Sequence, residues 1–389
     1  MRRNCIEKRL RSYRRQSREM KRKGNIVDLE REVIYNGLCC YCGTCGAFCK
    51  EYITYENEIP ITKKKCHEIY GACYDFCPRT SFAPFEVERA VFGEIRTDNL
   101  LGYYQSDIIT ARATDEAVRE HAQDGGVVSA LLVSLLEQGE IDAAVVSKTS
   151  ENWTPEPFVA TKKEDVLAAS GSKYTQCPSV LGIGDALEQG YKNVALVGLP
   201  CHIQGMRKVQ LSTGFDVGAD RVKLLIGLMC SETFDSHSLE NKLVELGTSI
   251  EDVEKFNIKK GSFIVHTKAG KEIKTPIKTM RDCMREACEY CYDFAAEFAD
   301  LSVGSIGSKL GWSTVITRSK VGVEIVKKAE AAGAIETKKL SKEQVKEVRR
   351  LASFKKRGNL KNIYDKCEPV EILNMEVELE MLEQFLNVE

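Results

Sequence analysis

IDAAVVS (141–147), NVALVGL (193–199) and VKLLIGLMC (222–230) are three short, β-branched apolar runs separated by amphipathic stretches such as 127–138 and 241–247. Strands that alternate with helices imply α/β architecture with a largely parallel sheet. The alternation extends from about Tyr103 to Leu340 and delimits the largest unit, 103–340. The other units lie on either side of it: a basic arm (1–29), a cysteine-rich α+β unit (30–82), a linker (83–102) carrying Pro84, and a helical tail (341–389).

The chain has 389 residues, 56 Lys+Arg against 57 Asp+Glu, and 43% hydrophobic residues. Those values exclude a mainly disordered chain. The longest apolar run, near Leu224 to Cys230, is too short to span a bilayer, and no apolar h-region follows the basic start. A cytoplasmic location is expected. Residues 1–23 hold eleven Lys/Arg and two Glu, which reads as a solvated arm or a docking arm for an acidic partner. No nucleic-acid module follows it, so nucleic-acid binding is not expected. After Pro369, the residues Ile372, Met375, Leu379, Leu382 and Leu386 recur at 3-4-3-4 spacing, predicting an amphipathic C-terminal helix.

Sixteen cysteines are too many for a reducing compartment unless something occupies them, and nine fall within the first 77 residues. CCYCGTCGAFC (39–49) contains Cys39-x2-Cys42-x2-Cys45-x3-Cys49. Two-cluster bacterial ferredoxins use this run to wrap one [4Fe–4S] cubane with three thiolates while the fourth serves a second cluster. Gly43, Thr44 and Gly46 suit the tight backbone such a loop needs. Zinc more often takes paired C-x2-C groups. A second group reads Cys66-x6-Cys73-x3-Cys77-Pro78. Cys77 is expected to complete the first cluster, leaving Cys49, Cys66 and Cys73 for the second. Its fourth ligand is open: Cys40, Cys5, His67, or none, as in [3Fe–4S].

A third group is dispersed: Cys201, Cys230, and Cys288-x2-Cys291. Cys201 and Cys230 follow apolar strands, at the edge where α/β sheets bind ligands. Singly they would be small buried hydrophobes; together with Cys288 and Cys291 they suggest another cluster. Gly125-Gly126 precedes a helix starting near Val127, which offers amides and a helix dipole to a pyrophosphate. There is no G-x-G-x-x-G after a first strand, so a standard nicotinamide-binding unit is not supported.

Eight stretches carry a family resemblance: AQDGG (122–126), GSKYT (171–175), LPCHIQGMRK (199–208), CSETF (230–234), GSF (261–263), CEYCYDF (288–294), ADLSVGSIGS (299–308) and GWSTVITR (311–318). In this order they resemble the β subunit of coenzyme F420-reducing hydrogenase and its F420H2 dehydrogenase relatives. The cysteine-rich unit resembles the two-cluster extension of larger members, although its second group departs from their pattern. The resemblance implies FAD, one [4Fe–4S] cluster on Cys201, Cys230, Cys288 and Cys291, and hydride exchange between F420 and FAD. It implies FAD contacts from Gly125, Gly126, Ser172, Lys173, Tyr174, His202 and Gly205, and deazaflavin contacts from Gly311, Trp312 and Ser313.

The expected function is an F420-dependent oxidoreductase that passes single electrons to or from a partner subunit such as a heterodisulfide reductase, hydrogenase, ferredoxin or sulfite reductase. A flavin belongs between a two-electron hydride carrier and one-electron clusters. The competing readings are a tetrapyrrole reductase of the same superfamily and a non-catalytic electron-relay subunit.

Overall fold

The computed structural model describes residues 23–366 apart from 67, 151, 152 and 260. The basic arm up to residue 22, Cys5, His67 and the 372–386 seam therefore lie outside the described residues. In the cysteine-rich unit, strands β1 (Ile53–Glu56) and β2 (Ile59–Thr62) pair antiparallel between the short helices Thr44–Ala47 and Ala72–Asp75.

Eight strands build the central sheet. β3 (Ile109–Ala113), β4 (Ala143–Thr149), β5 (Pro155–Ala160), β6 (Val194–Gly198) and β7 (Val222–Leu228) come first in the chain. β8 (Val253–Lys259), β9 (Ser262–Thr267) and β10 (Glu272–Pro276) form a separate three-stranded antiparallel sheet that the sequence pattern does not announce. β11 (Leu301–Gly304), β12 (Ser313–Thr317) and β13 (Ile335–Lys339) return to the main sheet, whose order is β13-β3-β12-β11-β7-β6-β4-β5.

The expected α/β architecture holds, with parallel pairing among β11, β7, β6 and β4 at the centre. The outer pairings, β4–β5, β11–β12, β12–β3 and β3–β13, are antiparallel. Centre and edge differ in their side chains. All five residues of β6 are buried, as befits a strand covered on both faces, whereas β13 (IETKK) buries only its first. Helix Val127–Glu137 covers one face with Leu131, Leu132 and Leu135. Helix Pro200–Leu211 covers the other with Ile203, Met206 and Val209 as it crosses from β6 to β7. Because β6 and β7 run parallel, the chain leaves both at one sheet edge.

The 83–102 segment is not a free connection. Pro84 opens helix Pro84–Phe92, where a proline at the first helical position forfeits no hydrogen bond, and Gly93 closes it with φ +81°. The helix Lys342–Lys366 then folds back over the third cysteine group.

Candidate functional site

The Gly-Gly turn, the 170–173 loop and the 311–313 loop come together at the start of helix Val127–Glu137. Gly125 N–H donates to Ser313 Oγ at 3.1 Å. A Cβ on Gly125 would stand 2.8 Å from Ala111 O and 2.8 Å from Ser313 N, both backbone atoms, so only glycine allows this approach. Gly126 takes the N-cap position at φ +70°, and no side chain caps the helix. The first-turn N–H groups are thereby left for an external acceptor. Ser129 and Ser170 hydroxyls, 2.9 Å apart, tie this helix to the next loop. There Lys173 Nζ donates to the carbonyls of Ser170 (3.0 Å) and Gly171 (2.9 Å). Burial pushes the Lys173 amine down to about 8. Ser172 is exposed.

Trp312 is half-buried, with the Arg112 guanidinium 4.8 Å and the Lys338 amine 4.4 Å from its ring. Nothing would touch a Cβ on Gly311 within 4 Å. The small sheet reaches the same place: Gln123 donates to Asn257 on β8, and Asp124 lies near Lys259 and Lys255. An uncapped helix start, an open glycine loop and nearby cations fit an anionic, ring-bearing cofactor such as FAD.

Two of the expected contacts stand elsewhere. A Cβ on Gly205 would collide with Thr44 Oγ1, so this glycine lets helix Pro200–Leu211 approach the cysteine-rich unit. His202 is 2% exposed; its Nδ1 accepts the Leu199 N–H at 3.0 Å and its Nε2 lies 3.1 Å from the Gln176 amide. It caps its own helix and offers no free face. Tyr174 stays at the site: its ring packs among Phe234, Phe256 and Phe263, and its hydroxyl meets Ser172, with Asp124 nearby.

The cysteines gather as three neighbouring groups. Cys39, Cys42, Cys45 and Cys77 face one another. Tyr55 OH lies 3.2 Å from Cys45 Sγ and accepts the Gly46 N–H at 3.0 Å. Cys49 and Cys73 hydrogen-bond, the shared proton drawing Cys49 down to about 7 and pushing Cys73 up. Cys66 packs against the same apolar cluster. Cys230, Cys288 and Cys291 converge, with Cys201 beside Cys291. Cys40 does not join Cys49 and Cys73: its thiol hydrogen-bonds with Cys201 and Cys42, between the first and third groups. That position removes it as the missing ligand of the second group, because its sulfur is already committed on the other side of the loop.

Burial raises most of these thiols, Cys45 and Cys230 to about 12 and Cys77 to about 11. Yet cations stand against them, Lys355 buried and Lys208 half-buried. Lys355 Nζ donates to the carbonyls of Cys230 (2.7 Å) and Asp293 (3.0 Å). Lys208 Nζ donates to the Cys77 carbonyl at 2.6 Å. Asn359 donates to the carbonyls of Cys288 (2.7 Å) and Cys291 (2.8 Å). Dry thiols beside buried positive charge are a donor set suited to iron, which holds sulfur as thiolate. Among the described residues, no three His, Cys, Asp or Glu side chains converge tightly enough to hold a single metal ion. The sequence does not reveal Lys355 and Asn359, which sit one turn apart on a basic helix far along the chain with no mark of what they touch. Arg79 does carry a signal, its place directly after Cys77-Pro78.

Among the described residues, no helix is long and apolar enough to cross a membrane. A family model described as coenzyme F420 hydrogenase/dehydrogenase, beta subunit N-term, matches residues 108–182, and its C-terminus counterpart matches residues 191–343. The coenzyme F420 hydrogenase subunit beta of Methanothermobacter thermautotrophicus is 42% identical over 68% of this chain and 95% of its own length. A subunit of the F(420)H(2) dehydrogenase of Methanosarcina mazei is 31% identical over 87% of this chain and 94% of that protein. The coenzyme F420-dependent sulfite reductase of Methanocaldococcus jannaschii is 34% identical over 86% of this chain, which spans 52% of that protein. A chain in a xenon-derivatised structure of the F420-reducing [NiFe] hydrogenase complex from Methanosarcina barkeri superposes with a TM-score of 0.65, at 37% identity, over 69% of this chain and 94% of that one. The chain belongs to the coenzyme F420 hydrogenase/dehydrogenase beta-subunit family.

Proposed function

We propose that the chain is an F420-dependent oxidoreductase subunit that binds FAD and three iron–sulfur clusters and exchanges single electrons with a partner protein. The observation that carries this reading is the Gly125–Ser313 contact, which joins the two glycine loops beside an uncapped helix on the sheet that also carries Cys201 and Cys230. FAD, when bound, would accept hydride from reduced F420 and release its electrons one at a time.

The residues divide the work. The first-turn amides of helix Val127–Glu137 take the pyrophosphate, and Lys173 supplies positive charge beside it. Gly311, Trp312 and Ser313 shape the deazaflavin side, with Arg112 and Lys338 holding the indole in place and adding charge. Cys201, Cys230, Cys288 and Cys291 hold the cluster nearest the flavin. Cys39, Cys42, Cys45 and Cys77 hold the next, in a ferredoxin-like arrangement. Cys49, Cys66 and Cys73 hold the third, as a three-iron cluster or with a ligand from Cys5 or His67. The partner is an electron-accepting or electron-donating subunit of an F420-linked complex.

The test is anaerobic purification followed by cofactor analysis and addition of reduced F420. Expected are one FAD and roughly ten to twelve iron atoms per chain, as three clusters require, with bleaching of the flavin by reduced F420. Iron near four atoms (one cluster's worth), or zinc in its place, would reject the cluster assignment. A flavin unaffected by reduced F420 would leave an electron-relay subunit.

A further inference from the structure

Arg79 lies directly after Cys77-Pro78, with its side chain turned inward to 2% exposure. Nη1 donates to the Tyr290 carbonyl at 3.1 Å, linking the cysteine-rich unit to the Cys288–Cys291 turn. Its main-chain N lies 3.4 Å from Cys77 Sγ. Nε has no hydrogen-bond partner among the described residues. The guanidinium faces Cys291, to which it hydrogen-bonds, and also Cys40 and Cys201.

No carboxylate pairs with Arg79 among the described residues, although a buried charge left without a partner costs several kcal/mol. The groups around it that can carry negative charge are sulfurs: Cys291 and Cys201 of the third group, Cys77 of the first, and Cys40 between them. Two other cations each serve one group: the buried Lys355 the third, through Cys230 and its neighbours, and the half-buried Lys208 the first, through Cys77. Arg79 alone among these three touches both.

We propose that Arg79 is the shared counter-cation of two iron–sulfur clusters, one held by Cys39, Cys42, Cys45 and Cys77 and the other by Cys201, Cys230, Cys288 and Cys291, and that it raises both reduction potentials. The inference rests on the cluster assignment given above. Reduction adds negative charge to a cluster, and a buried cation in a low-dielectric setting favours that form. One guanidinium between two clusters raises both potentials and screens the charge on one from the other.

Redox titration followed by EPR, on anaerobically purified full-length protein with iron and sulfide assayed, tests this. Arg79→Gln should shift both clusters towards the oxidised form by about tenfold in equilibrium constant, which is about 59 mV for one electron. Arg79→Lys, which keeps the charge, should hold both potentials close to the parent. Lys355→Met should move only the third-group cluster, and Lys208→Met only the first. The proposal is overturned if Arg79→Gln moves one cluster or neither, or if Arg79→Lys moves both as far as Arg79→Gln does. Should Arg79→Gln fail to retain iron, normal iron and potentials in Arg79→Lys support the charge requirement, and iron loss there too overturns it. A parent protein lacking the two cluster signals would overturn the assignment itself before any variant is compared.

Discussion

Glu297→Gln should be among the most destabilising conservative substitutions in this chain. Glu297 pairs with Arg96 Nη1 at 2.5 Å through one oxygen and with Lys356 Nζ at 2.6 Å through the other, and all three side chains are fully buried. Arg96 Nε also reaches Glu88 Oε1 at 2.8 Å. The group joins helix Pro84–Phe92, the 293–300 segment and helix Lys342–Lys366. Glutamine keeps the shape but strips the charge between two buried cations. Breaking one buried pair costs about 3–5 kcal/mol; Arg96 retains Glu88, and Lys356 retains the Asn99 carbonyl at 2.6 Å, so the loss should fall within that range. It is a large part of a total stability of roughly 5–15 kcal/mol.

The assay is urea unfolding at pH 7, with Lys328→Ala as comparator. Lys328 pairs with Glu140 at 2.7 Å in solvent, with side chains 51% and 43% exposed, and should lose no more than about 1 kcal/mol. The pH dependence is also fixed in sign. Burial raises the Glu297 carboxyl, but Lys356 and then Arg96 outweigh it and hold it below its usual value. A depressed carboxylate stabilises above its unfolded pKa of about 4.3 and loses that contribution as pH falls through the folded value. The gap between parent and Glu297→Gln should therefore be constant above about pH 5 and close in stronger acid. A Glu297→Gln cost no larger than that of Lys328→Ala would refute the reasoning.

Gly125→Ala places a Cβ 2.8 Å from two backbone atoms and should cost about 1–3 kcal/mol while lowering FAD retained on desalting; an unchanged melt with full FAD would contradict the packing argument. Cys288→Ala should remove one cluster's EPR signal while reduced F420 still bleaches the flavin, because hydride transfer precedes electron exit; loss of bleaching would argue that this cysteine also shapes the flavin site. Lys173 is charged below about pH 8 and neutral above it, so FAD affinity measured by fluorescence should fall as pH rises from 7 to 9 in the parent and stay flat in Lys173→Met. NADPH should be a poor substitute for reduced F420, and equal steady-state rates with the two would undo the coenzyme assignment.

The local code of this chain is strong in two places. Apolar runs at 143–146, 194–198 and 222–228 could satisfy themselves only as strands covered on both faces, so the α/β core was legible from their composition. Cysteine spacing at 39–49 restricts which thiols can share a site because few residues separate them, and in the structure Cys77 lies beside Cys39, Cys42 and Cys45. The Gly125-Gly126 turn was visible as a turn, but its partner was not: Ser313 lies 188 residues away along the chain.

What only the tertiary structure decided depends on separations the sequence does not encode. Cys40 looked like a spare ligand for the second group, yet its sulfur meets Cys201 and Cys42 instead. Gly205 and His202 sit in a motif that suggests cofactor contact, but one makes room for Thr44 and the other caps its helix. The edge strands β5 and β13 and the β8–β10 insertion are short strands with several half-buried or exposed positions, which carry little signal. Lys355, Lys356 and Asn359 read as an ordinary basic helix face, and became part of the interior only because that helix folds back over Cys230, Cys288 and Cys291. Charges of this kind are placed by the partners they meet, and those partners are fixed by the fold rather than by neighbouring residues.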